Sequence, residues 1–274
     1  MRSAIVLAVS VWVGTFVVPT LALSGETTED KLLSDASKAQ IIFLGEQHDN
    51  AAHHNRQAAW VAALEPSALV FEMLTGEQAA AIQPKDRNDA TRLAEVTGWE
   101  ASGWPDFSMY YPIFAAAPEA QIYGAGVPPS RVRGLMSDEL DEVAGDLTQR
   151  FALNLPLPAL QQEAREALQM AAHCDALPEE MLPMMVSVQR LRDAFLAGAA
   201  LDALAQTGGP VVVITGNGHA REDWGAPFMI RASTPELSVF TLGQGEAGQT
   251  PEGGFGAVLD GPAVDRGDPC DAFR

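Results

Sequence analysis

The chain has 274 residues, 47% of them hydrophobic, with 18 prolines and 24 glycines; that is enough to bury the core of one large domain or two small ones. Its 36 acidic residues stand against 17 basic ones, a net charge of −19. Such a field repels nucleic acid and anionic membrane surfaces, so a nucleic-acid partner is excluded, and an anionic ligand needs a local basic patch.

The chain opens with "MRSAIVLAVSVWVGTFVVPTLALSGETTED": one arginine, a long apolar run, small residues, then an acidic stretch. This order is that of a secretory signal peptide, residues 1–24, with cleavage after Ala22 or Ser24; Pro19 argues against an uncleaved anchor. The mature chain, 25–274, then carries 16 basic groups against 36 acidic ones, a net of −20. No cysteine follows the apolar run to take a lipid anchor. The two cysteines, Cys174 and Cys270, leave two readings open: one disulfide in an exported chain, or two thiols with Cys174 the buried one.

Five short aliphatic runs follow: "AQIIFLGE" (39–46), "SALVFEM" (67–73), "AQIYGAG" (120–126), "PVVVITGNG" (210–218) and "LSVFTLG" (237–243). Continuous apolar runs of this length suit strands covered on both faces. Helical patterns lie between them. "AAHHNRQAAWVAALE" starts just after Asp49 and Asn50, either of which can cap it. Strands alternating with helices predict an α/β fold with a mostly parallel sheet. Residues 135–207 interrupt the alternation and read as an inserted helical subdomain. There Met184, Val188, Leu191 and Phe195 form an apolar stripe, while Gln189 and Asp193 share a different face. The glycine- and proline-rich tail from Gly243 reads as a hairpin and a loose end.

Ligands of open α/β sheets bind beyond the carboxyl ends of the strands. The first strand delivers Glu46 and His48 there, the second Glu72, the fourth Asn217 and His219. Two Gly-x-x-His turns, "GEQH" at 45–48 and "GNGH" at 216–219, stand at equivalent strand ends. Glycine lets the chain turn and bring each imidazole back over the sheet edge. Two histidines and a carboxylate make a first shell for a divalent metal ion, or an acid and a base around a substrate. His53 and His54 open the next helix.

Four blocks, "LGEQHDNAAHHNRQAAWV", "LVFEM", "SMYYPIF" and "VVVITGNGHAREDWGAPFMI", together resemble the ChaN-like haem-binding proteins, which share a superfamily with the Tiki proteases. The resemblance covers about residues 39–231, and "AAHCDALPEEMLPMMVSVQRLRDAFLA" is similar to the helical insert of bacterial members. It implies a large parallel sheet with a small helical domain, and an exported protein of iron uptake. It also implies a homodimer around two facing haems, and a periplasmic or outer-membrane uptake machinery as the next partner. In such proteins a tyrosine of one subunit binds iron and a histidine of the other supports it. Carried over, the tyrosine falls on Tyr110, with Tyr111 as substitute; His53 and His54 are candidate supports. Arg131, Arg133 and Arg221 are candidates for the haem propionates. Trp99, Trp104, Phe107 and the methionines at 181–185 form an apolar slot or ordinary core. Many relatives are lipid-anchored; without a lipobox cysteine this chain is expected to be soluble in the periplasm. The Tiki side of the resemblance implies the alternative, a metal-dependent hydrolase with His48, His219 and Glu46 or Glu72 on a divalent metal ion.

Overall fold

The computed structural model describes residues 28–268, 270 and 271; the expected signal peptide and its cleavage point lie outside them. Six strands form one all-parallel sheet: β1 (Ile41–Glu46), β2 (Ala68–Phe71), β3 (Gln121–Gly124), β4 (Val211–Gly216), β5 (Val239–Gln244) and β6 (Ala257–Leu259), in the order β3-β2-β4-β1-β5-β6. The first, second and fourth are buried along their whole length. This is why they read as unbroken apolar runs rather than as alternating ones.

The two-residue period of a strand sorts their side chains onto two cores. Ile41, Phe43, Val70, Val211 and Val213 pack under the insert helix Leu182–Thr207 and the helix Ala226–Ser233. Ile42, Leu44, Phe71, Val212 and Ile214 pack under the helices Ala51–Leu64 and Phe107–Ala116. Fully burying each such side chain contributes about 1.5–3 kcal/mol. Connections leave β1 and β4 toward opposite edges, so the crevice between their carboxyl ends is the switch point of the sheet.

Asn50, not Asp49, caps the helix Ala51–Leu64, its side chain accepting from Ala52 N at 3.0 Å. Asp49 instead binds Arg266. Buried Arg87 donates to the carbonyls of Phe114, Ala117, Pro118 and Ala120. It thereby closes the last turn of the helix that carries Tyr110. Among the described residues no helix is long and apolar enough to cross a membrane.

Two expectations change. The tail makes its tight turn, Glu246 bridging antiparallel to Gln249, but then adds a sixth parallel strand, β6, which covers the edge of β5 from Leu242 to Gln244. In the insert stripe Val188 and Leu191 are buried and Met184 and Phe195 are half-buried, while Asp193, assigned to another face, is itself buried. The helix lies across the sheet, so its covered face is wider than the four-residue stripe.

Cys174 and Cys270 are bonded, closing 96 residues of sequence separation. A cross-link over a loop of this size contributes about 4.7 kcal/mol in the loop-entropy account, against the about 2–4 kcal/mol typical of disulfides. Cys174→Ser is therefore expected to lower the urea midpoint of the oxidised protein, and reducing the parent protein to give the same loss.

Candidate functional site

Glu46 ends β1 and is 1% exposed, with four neighbours arranged about its two oxygens. Oε1 accepts from Tyr110 OH and His48 Nδ1, each at 2.8 Å; Oε2 accepts from Gln57 Nε2 at 2.8 Å. His54 Nδ1 stands 3.4 Å from Oε2 without the alignment of a hydrogen bond, its Nε2 being turned to His48 O at 2.8 Å. Burial resists the charge on Glu46, but these donors outweigh it and hold its carboxyl below the usual range.

Glu72, one residue past β2, is the second centre. Its Oε2 accepts from Thr215 Oγ1 at 2.6 Å and Gly216 N at 2.8 Å. Its Oε1 faces two imidazoles: His219 Nε2 at 3.7 Å and His48 Nε2 at 4.0 Å. The two histidines are built alike. His48 gives its Nδ1–H to Glu46, and His219 gives its Nδ1–H to buried Asp193 at 2.7 Å. Each ring is thus fixed in one tautomer by a carboxylate behind it, with Nε2 turned forward.

The titrations follow. Burial opposes ionisation of Glu72, yet the facing His219 and His48 and the two donors outweigh it and depress its pKa to about 2. Burial likewise opposes protonation of His48, and the hydrogen bond to Glu46 with the Glu72 charge raises its pKa to about 9. His219 is raised against burial by Glu72 and Asp193. The sign differs between the two kinds of group. A depressed carboxylate contributes stability above its unfolded pKa of 4.5 that is lost as pH falls toward about 2. A raised histidine contributes below 6.5, and that contribution is lost as pH climbs through about 9. The urea midpoint is accordingly expected to be highest between about pH 4.5 and 6.5 and to fall on both sides. His48→Gln should flatten the alkaline limb; an unchanged limb would show that His48 carries no such linkage.

The glycines serve close approach rather than a sharp turn. A Cβ on Gly216 would lie 2.9 Å from His48 Nε2, and one on Gly45 would lie 2.5 Å from Asn217 Oδ1. The matching Gly-x-x-His spacing thus lets the β1 and β4 ends meet. Beside them, past the ends of β2 and β3, opens a cavity of about 400 Å³, its wall including Glu72, Met73, Trp104, Val127, Val132 and Arg192. His48 is one-third exposed and packs on Trp104, ring centroids 4.8 Å apart.

The structure brings Glu46, His48, Glu72 and His219 together. It does not arrange them as a metal centre: among the described residues no three of His, Cys, Asp or Glu are placed to hold a metal ion. Glu46 is withdrawn from that set because its oxygens are filled. The residues carried over for haem have other partners. Tyr110 is fully buried against His54 and Trp99, and its phenol, held far above its ordinary pKa by burial and Glu46, donates to Glu46. Tyr111 is half-buried with its hydroxyl toward Arg87 O at 3.4 Å. His53 is buried with both ring nitrogens bonded, to Gln47 N and Gly245 O. Arg131 donates to Val143 O, Arg133 is exposed, and Arg221 forks onto Asp223 while stacking on Trp224 at 3.8 Å. Of the expected slot, Trp99 and Phe107 are core, and Trp104 reaches the cavity. Asp193, Gln57 and Thr215 escaped sequence reasoning. Only a polar residue on the sheet-facing side of the insert helix could have signalled the first, and the strand context of the third hid it.

An all-parallel α/β sheet with a helical insert and a His/Glu cluster at its switch point is the frame in which the comparisons fall. The family described as "Haem-binding uptake, Tiki superfamily, ChaN" matches residues 32–230. The chain belongs to this ChaN family of haem-binding uptake proteins within the Tiki superfamily. Among solved structures it is similar to ChaN of Campylobacter jejuni with cofacial haem binding: TM-score 0.60, 20% identity, covering 82% of this chain and 88% of that one. Weaker likenesses are to the type III effector HopBA1 (TM-score 0.47, 14% identity, 86% of this chain and 93% of that one) and to the H289N mutant of the erythromycin esterase EreC (0.45, 14%, 80% and 73%). A comparison with curated protein sequences gives no match.

Proposed function

We propose that this chain is an exported haem-binding protein of iron uptake, and that it holds haem non-covalently in the cavity before the strand ends. The observation that carries the reading is His48: a one-third exposed imidazole packed on Trp104 of the cavity wall, its Nδ1–H on a buried carboxylate and its Nε2 without a hydrogen bond. An iron-binding histidine is oriented in this way by a carboxylate behind it. The residues fit the group: Trp104, Met73, Val127 and Val132 offer apolar wall, and Arg192 offers a cation at the same cavity for a propionate. Bound haem would supply the ferric centre that marks the cargo. His48 orients and holds it, Glu46 fixes the tautomer, and Tyr110 and Gln57 hold Glu46. In this reading the family's tyrosine position serves the histidine from behind.

The leader-like N-terminal sequence and the Cys174–Cys270 bridge, which persists in oxidising compartments, support an exported, periplasmic form. Two chains meeting around haem, and delivery to a periplasmic or outer-membrane uptake machinery, complete the proposal. Haemin added to the mature protein is expected to give a saturable visible spectrum at about one haem per chain, with a haem-dependent rise in mass if the chains pair. No saturable spectrum would overturn the haem reading.

A second reading has its own observation: two carboxylate-backed imidazoles face ionised Glu72, as an acid and base pair would in a hydrolase. His219→Ala separates the two, since it should abolish hydrolysis but leave haemin binding at His48 in place.

A further inference from the structure

A second cavity, about 330 Å³, lies between the insert and the helix Ala226–Ser233 and shares no wall residue with the strand-end cavity. Its wall is apolar, with Phe151, Leu155, Phe228 and Met229 among its members; Leu155 is 58% and Phe228 46% exposed. Three arginines join them, Arg150, Arg165 and Arg190, and no acidic residue does. In a chain of net charge −19 that is an inverted local field.

Arg150 is paired with Asp202 and Arg190 donates to Leu155 O. Arg165 has no such relief. It is 6% exposed, lies over the Trp224 ring at 5.1 Å, and makes one long bond, Nη2 to Trp224 O at 3.4 Å. Its Nε is buried without a partner, and among the described residues no carboxylate lies within ion-pair distance of it. The acids whose field reaches it, Asp193 and Asp223, are bonded to His219 and Arg221. A buried guanidinium without a counter-charge is costly, and an anion entering the cavity would relieve that cost.

We propose that this cavity binds a single-chain amphipathic carboxylate, a medium-chain fatty acid, with its carboxylate on Arg165 and its acyl chain against Phe151, Leu155, Phe228 and Met229. An apolar wall with one unpaired guanidinium suits a single acyl chain that ends in a carboxylate. The site is independent of the haem reading.

Calorimetric titration of the mature protein with sodium decanoate, below its micellar range, tests it. Saturable binding near one per chain is expected. 1-Decanol and decyltrimethylammonium should bind at least about tenfold more weakly, since a charge-assisted bond is lost. Arg165→Met should weaken decanoate by at least about tenfold. Phe228→Asp, at an exposed position that the fold tolerates, should do the same. The proposal is overturned if decanoate does not saturate, if decanol binds as well, or if Phe228→Asp binds decanoate like the parent. The last two arms decide even where Arg165→Met does not fold.

Discussion

His48→Ala is expected to weaken haemin binding by about 100-fold or more and to change the visible spectrum of what remains bound. His48 Nε2 makes no hydrogen bond and faces Glu72, a residue of the cavity wall, at 4.0 Å. Removing even an outer-shell partner of a metal-binding histidine typically costs about 10–100-fold in affinity, so loss of the imidazole itself should cost at least the upper figure. Glu46→Gln then serves as the outer-shell variant, with a loss inside that range. The side chain is one-third exposed, so the alanine variant should fold, and a lost spectrum reports the ligand rather than the fold. A spectrum unchanged in His48→Ala but shifted in Tyr110→Phe would return the iron to the tyrosine. His48 has a raised pKa of about 9, so iron must displace a proton from it. Haem affinity is accordingly expected to rise with pH from 6 to 9, and to lose that slope in His48→Ala.

Glu46→Ala should destabilise the fold by about 3–5 kcal/mol, the range for breaking a buried charged network by removing one partner. Three donors lose their acceptor at once: the Tyr110 hydroxyl, the Gln57 amide and the His48 ring. A methyl group also replaces a carboxylate at a 1% exposed position beneath them. Urea unfolding at pH 6 measures the loss. Tyr110→Phe removes one donor and leaves the carboxylate two, so it should cost about 1–3 kcal/mol. The ordering is the diagnostic. If Tyr110→Phe cost as much as Glu46→Ala, the phenol would be holding more than this hydrogen bond. If Glu46→Ala were nearly neutral, water would have to replace the carboxylate, and the cluster would be wetter than its burial indicates.

Both experiments act on one arrangement, a buried carboxylate behind a histidine, repeated as Glu46–His48, partly exposed, and Asp193–His219, buried, about a single ionised Glu72. The shared Oε1 of Glu72 makes the halves interdependent: protonating either imidazole holds Glu72 charged, and the charge holds both imidazoles protonated. A haem at His48 would break that symmetry, because an imidazole that binds iron through Nε2 no longer carries a proton there.

The five apolar runs determined a parallel sheet by themselves, because strands buried on both faces must be apolar throughout. Strand ends were legible for the same reason, and with them the meeting of Glu46, His48, Glu72 and His219: parallel neighbours deliver their last residues to one edge. β6 was not legible, since three residues, Ala257–Leu259, are too few for any periodicity. Nor was the choice between Asp49 and Asn50 as cap, which turns on Arg266, more than 200 residues away in sequence. What only the tertiary structure decided is the partner of each polar group. Asp193 stands behind His219 because the insert helix lies across the sheet. Tyr110 faces Glu46 rather than a ligand because Arg87 seats its helix, and Arg165 is left without a counter-charge because two nearby acids are already engaged. Periodicity reports which face of an element is buried. Which buried group meets which is set by how elements from distant parts of the chain pack, and no local pattern encodes that.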